Sequence, residues 1–116
     1  MKIPFYQVDA FTQQPFRGNP AAVCVFDSRP QDALLQSIAM ENNLSETAFL
    51  VKQGDAYGLR WFTPLVEMDL CGHATLASAY VIFNHIEPAR NEVAFSTRSG
   101  VLTVTRKGEL LHMDFP

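Results

Sequence analysis

Ten consecutive residues, Ala74 to Phe83 (ATLASAYVIF), make a helix-length run without a polar face. At 3.6 residues per turn, Ala74, Leu76, Ala77, Ala79, Tyr80, Val81, Ile82 and Phe83 cover nearly the whole circumference. A helix that is apolar all round has to be surrounded. The run falls well short of the ~20 apolar residues that span a bilayer, so protein rather than lipid must surround it. The small side chains Ala74, Ala77, Ser78 and Ala79 let neighbouring backbones come close.

The rest of the chain supplies mostly strands for that purpose. Lys2–Thr12 alternates and is largely apolar on both faces, which predicts a strand inside a covered sheet. Gly18-Asn19-Pro20 is a turn signal, and Ala21–Phe26 (AAVCVF) is short and continuously apolar, as a buried strand would be. Thr47–Lys52 and Tyr57–Phe62 flank Gly54-Asp55 and read as a hairpin. Val93–Thr97, Val101–Arg106 and Leu110–Phe115 follow as three short strands separated by Ser99-Gly100 and Lys107-Gly108. One outer helix interrupts the series. Ser28 is its expected N-cap, with Gln31 completing a capping box. Its buried stripe is Leu34, Leu35, Ile38 and Ala39; Gln31, Asp32, Gln36 and Glu41 face outward, and Asn42-Asn43 ends it. The fold class is therefore α+β: a curved mixed sheet wrapped around a central apolar helix, plus one outer helix. Most strand connections are too short for parallel crossovers, which argues against a doubly wound sheet.

A chain of 116 residues, 47% hydrophobic and 18% charged, has the size and composition of one globular domain. A formal charge of −3 with no Lys/Arg run argues against nucleic-acid binding. The alternating N-terminus lacks the hydrophobic region of a signal peptide, so the expected compartment is the cytoplasm and no membrane association is expected. In that compartment Cys24 and Cys71 are expected as free thiols. His73, His85 and His112 are scattered, and Cys71 and His73 lack zinc-ligand spacing, so no metal site is expected.

Chemistry concentrates in Met68–Tyr80 (MDLCGHATLASAY). A helix starting near Gly72 or His73 leaves about four backbone N–H groups without intrahelical partners, and these favour an anion. Gly72 puts no side chain in the way of a ligand; alternatively Asp69 or Thr75 satisfies the donors internally. His73 can exchange a proton near neutral pH or simply be held at the helix end by backbone hydrogen bonds. Cys71, at a helix N-terminus, would have a lowered pKa and serve as nucleophile or proton carrier, or else be a buried small hydrophobe. Glu46, in NLSETAF just before an apolar strand, is either a partly desolvated acid/base or a solvated loop residue.

In series, FYQVDAFT, FRGNPAAVC, NLSETAF, LRWFTP and EMDLCGHATLASAY resemble the phenazine-biosynthesis PhzF-like family, which shares its fold with diaminopimelate epimerase. The resemblance runs over essentially the whole chain. It implies two similar domains with an active site between them, each domain a curved sheet around a central helix, here Ala74–Phe83. It also implies that Glu46 is the proton-shuttling acid/base and His73 an assisting group, with Asn19 at the site. The amides of Gly72, His73 and Ala74 would hold a substrate carboxylate. Cys71 matches the position of an epimerase thiol, although PhzF-like proteins rely on glutamate. The implied activity is a cofactor-independent proton shift or epimerisation on a small carboxylated substrate.

Family members continue beyond the position of Pro116, so residues 1–116 correspond to the N-terminal domain only. Two copies paired about a two-fold axis would stand in for the missing half, and a homodimer is the expected state. The alternative expectation is a non-catalytic dimeric remnant that binds a small carboxylate.

Overall fold

The computed structural model describes residues 3–10, 19–108 and 110–114. The expected turn residue Gly18 and the outer ends of the first and last expected strands (Lys2, Phe11, Thr12 and Phe115) lie outside them. Among the described residues, eight strands form one sheet ordered β1-β2-β3-β4-β6-β7-β8, with β5 paired to the end of β4. The strands are β1 Phe5–Ala10, β2 Asn19–Phe26, β3 Glu46–Gln53, β4 Ala56–Phe62, β5 Glu67–Met68, β6 Glu92–Thr97, β7 Gly100–Lys107 and β8 Leu110–Asp114. Two pairings are parallel, β2 with β3 and β4 with β6; the others are antiparallel. Each parallel step is bridged by a helix, α1 (Asp32–Asn42) in the first case and α2 (Gly72–Val81) in the second.

The two faces of the strands bury different cores, as their period-two alternation requires. Ala21 and Val23 of β2, Ala48 and Leu50 of β3, and Tyr57, Leu59 and Trp61 of β4 point to the inner face. Val93, Phe95, Leu102 and Val104 continue this lining, and Ala74, Ala77, Ala79 and Val81 of α2 fill the hollow. The sheet curls around α2 as a half-barrel, which explains a helix with no polar face. On the outer face Cys24, Phe26, Phe49 and Phe62 form a smaller cluster under Leu35 and Ala39 of α1.

Several local expectations need correction. β1 is an edge strand rather than an interior one: Tyr6 and Val8 pack inward, whereas Phe5 is 48% exposed. The first helix begins at Asp32, and Gln31 at its N-cap makes no side-chain cap hydrogen bond, so the Ser28 capping box does not form. Pro30 accounts for this: a proline disfavours helical geometry at the residue before it, here Arg29, where such a helix would have to begin. Leu34 is 39% exposed, and Gln36 reaches the carbonyls of Thr63 and Pro64 at 3.1 and 3.2 Å instead of solvent. The helix does end at Asn43, in a left-handed conformation with φ 50°. α2 passes into a π-helical segment, Ile82–Ile86, which no periodicity announced. Tyr6 of β1 stacks on His85 of this segment, ring centroids 5.2 Å apart.

Candidate active site

One end of the half-barrel gathers the residues with chemical potential. β2 and β3 run parallel and start there, Ala21 lying beside Glu46 in register. Asn19 opens β2 two residues earlier, which brings its backbone to the same end. The N-terminus of α2 reaches this end from inside the sheet.

Glu46 is the first residue of β3, after the turn that ends α1. Its side chain is partly buried, and Oε2 is wholly buried without a hydrogen-bond partner among the described residues. A carboxylate oxygen in that state is costly unless something else completes it, which makes it the least explained polar atom at this end.

α2 enters through Cys71, whose backbone is extended (φ −143°, ψ 102°) and whose side chain makes no cap hydrogen bond. Neither Asp69 nor Thr75 takes over that task. Asp69 lies outside, 3.7 Å from Arg98. Thr75 turns down the helix, donating its hydroxyl to the Cys71 carbonyl at 2.7 Å and accepting the indole N–H of Trp61 at 3.0 Å. The positive end of the α2 dipole lies at this mouth of the site, where the amides of His73 and Ala74 face the Cys71 sulfur.

Burial pushes the Cys71 thiol up rather than down, and the negative charge of Glu46 adds to the shift; the amides of Ala74 and His73 oppose it without overcoming it. The expectation of a lowered pKa at a helix N-terminus fails because desolvation outweighs the dipole. Cys71 is a protonated, 8% exposed thiol, poorly suited as a nucleophile. The interaction with Glu46 also places that carboxylate within electrostatic reach of the start of α2.

Gly72 opens the helix. A Cβ built there would meet only the Met113 methyl at 3.5 Å, so packing within the chain does not demand glycine. His73 sits on the exposed side of the first turn, and Ala74 is fully buried against the core. The structure thus brings Glu46, Cys71, Gly72, His73 and Ala74 to one end, with the backbone of Asn19 close by. The Asn19 side chain lies outside the described residues.

Sequence reasoning missed the device beneath the site: β5 and the ion pairs that hold it. Arg60 donates to both oxygens of Glu67, at 2.8 and 2.7 Å, and Arg98 lies 3.0 Å from the same carboxylate. A groove of about 500 Å³ lies on this outer face, lined by Arg29, Asp32, Arg60, Glu67 and Arg98 among others. The sheet separates it from Glu46, and its arginines and acids largely neutralise one another. The only available signal was the alternation of Arg60 with the apolar Leu59 and Trp61.

A sequence model of the phenazine biosynthesis-like (PhzC-PhzF) proteins matches residues 8–116. An uncharacterised isomerase of Pseudomonas aeruginosa is 57% identical over 116 residues, which are 100% of this chain and 45% of that protein. A phenazine biosynthesis-like domain-containing protein of Homo sapiens is 47% identical over 124 residues, covering 100% of this chain and 43% of its own length. The crystal structure of a PhzC/PhzF protein from Clostridium difficile superposes with a TM-score of 0.93 at 56% identity, over 99% of this chain and 44% of that one. A protein described as a predicted epimerase from Pseudomonas aeruginosa gives a TM-score of 0.79 at 27% identity, over 97% of this chain and 42% of its own. The curled mixed sheet around a central helix is thus the diaminopimelate epimerase-like α+β fold. The chain spans less than half the length of the curated relatives it matches, on their N-terminal side.

Proposed function

Because the chain belongs to the PhzC-PhzF family of phenazine biosynthesis-like proteins, we propose that its site moves a proton on a small carboxylated substrate, as an isomerase or epimerase. The names of its relatives support isomerase chemistry. The observation that carries the reading is the buried, unpartnered Oε2 of Glu46, within electrostatic reach of the start of α2. In this reading Glu46 removes a proton from a carbon next to an activating group. The electron pair moves into the conjugated system, and Glu46 returns the proton at another carbon or on the other face. The amides of Gly72, His73 and Ala74 hold the substrate carboxylate, and His73 orients it. Cys71 stays protonated, shapes the wall and takes no part in the transfer. The step balances with no cofactor.

The far wall of the site is the second part of the proposal. Leu65 and Leu70, 81% and 42% exposed, flank the segment leading to Cys71. For this chain acting by itself, a second copy paired about a two-fold axis covers that surface and closes the cleft. Light scattering over a wide concentration range reads this directly; a monodisperse monomer refutes it. Two free, buried cysteines suit a reducing compartment, which supports a cytoplasmic place of action. Among the described residues no helix is long and apolar enough to cross a membrane.

One observation favours binding without turnover: His73 is exposed, so water reaches the mouth. Incubation in D2O with a panel of small carboxylates, cyclic dienes and amino acids separates the two. Carbon-bound deuterium that depends on Glu46, and is lost in Glu46→Gln, supports proton transfer. Binding without exchange supports the carboxylate-binding module.

A further inference from the structure

The segment that delivers α2 to the site is a strap, residues 63–70, running from the end of β4 to Cys71. Leu65, Val66 and Leu70 are exposed, and Met68 is the strap's one apolar side chain packed against the core, so little apolar burial holds it. Polar contacts do most of that work. The Thr63 hydroxyl accepts the amides of Leu65 and Val66 at 3.2 and 3.0 Å. Gln36 of α1 donates to two strap carbonyls, and the Ser99 hydroxyl donates to the Asp69 carbonyl at 2.5 Å.

Glu67 stands at the centre of these contacts. Its side chain is 15% exposed and lies on the outer face, away from Glu46. Arg60 grips both carboxylate oxygens, and Arg98 approaches from the hairpin between β6 and β7. The Arg60 guanidinium is itself seated over the Phe62 ring, 5.4 Å from its centroid. The hydrogen bonds from Arg60 hold the Glu67 carboxyl below the usual carboxylate range, so the grip is present at neutral pH. The next residue, Met68, pairs with Trp61, and Trp61 bonds to Thr75 of α2. A continuous path therefore leads from the outer ion pair to the mouth of the site.

We propose that Glu67 is the positioning residue of this site: through Arg60 and Arg98 it clamps the strap and so fixes where Cys71, Gly72 and the first-turn amides of α2 stand. Its importance for function rests on the proton-transfer reading above, but its test needs no turnover.

The chain carries two thiols that report on it. Cys71 ends the strap, whereas Cys24 is 1% exposed in the outer cluster with its pKa pushed up to about 12. Iodoacetamide labelling at pH 8, followed by peptide mass spectrometry, counts each separately. In Glu67→Gln, labelling of Cys71 rises about tenfold through local opening while Cys24 is unchanged. Glu67→Asp, which keeps the charge, recovers part of the protection. Asp32→Ala removes the other carboxylate on Arg60, 70% exposed and off the strap, and leaves Cys71 as it was. Should Glu67→Gln fail to fold, Arg98→Ala removes the outer cation and raises Cys71 labelling about threefold.

The proposal is overturned if Cys71 labelling stays within about twofold of wild type in a folded variant. A parallel rise of both thiols overturns it equally, since that reports global loosening, and so does an equal effect from Asp32→Ala. Loss of the exchange reading with the thiol pattern intact would leave the clamp standing, and the reverse result would remove the clamp alone.

Discussion

Replacing Thr75 with valine removes one oxygen from the interior and nearly nothing else. Thr75 and Trp61 are both 0% exposed, and the indole N–H donates to the Thr75 hydroxyl at 3.0 Å. Valine matches the shape but accepts no hydrogen bond, so the indole N–H is left buried and unpaired, at about 1–3 kcal/mol. The hydroxyl's own bond to the Cys71 carbonyl is also lost, but that carbonyl keeps the Thr75 amide at 3.1 Å. This second loss adds about 0.5–1 kcal/mol, for a total of about 1.5–4 kcal/mol. Thr75→Ser keeps the hydroxyl and loses only a buried methyl group, about 1 kcal/mol. Urea unfolding followed by tryptophan fluorescence reads both variants, with the midpoint shifting and the slope unchanged. A Thr75→Val protein as stable as Thr75→Ser would contradict this, because the buried hydrogen bonds would then be worth no more than one methyl group.

Other expectations follow from the same structure. Gly72→Ala meets only the Met113 methyl, so stability stays the same or rises by up to ~1 kcal/mol, whereas calorimetry shows weaker binding of a small carboxylate. Stability also falls on the alkaline side. Cys24 and Cys71 both have raised pKa values in the folded chain, so the folded state keeps protons that the unfolded state releases. The Cys24 contribution is complete below the ordinary thiol value of 9.0 and is lost as pH rises toward about 12, and Cys71 acts in the same direction. Cys24 contributes up to ~1.4 kcal/mol per pH unit in that window. Urea titrations between pH 8 and 11 check this, and Cys24→Ala flattens the slope.

Much of the fold was legible because it depends on one unusual segment. An all-apolar helix in a chain of short strands leaves few solutions, and a sheet curled around it is one of them. The hairpin at Gly54-Asp55 and the strands after Glu92 also follow from alternation and turn residues. The strap was not legible. Glu67 and Met68 form a strand of two residues, too short for periodicity to register, and its strength lies in Arg60 and Arg98, distant in sequence. The π-helical segment escaped because apolar patterning does not distinguish it from a continuing α-helix. The fate of Cys71 turned on burial against dipole, and the sequence announces the helix N-terminus but not the 8% exposure that reverses its effect. Glu46 presented the opposite case, since a junction glutamate reads equally as solvated or buried until the sheet places it beside α2.

On the reading proposed above, Glu46 and the start of α2 form one carboxylate-handling site. This is tested most directly by titrating small carboxylates into isotopically labelled protein and following the amides of Gly72, His73 and Ala74 together with the Glu46 carboxyl carbon. These signals move the most and saturate at a single dissociation constant if the two form one site. Shifts concentrated instead on Arg29, Arg60 and Arg98, with the α2 amides and Glu46 unmoved, would contradict it.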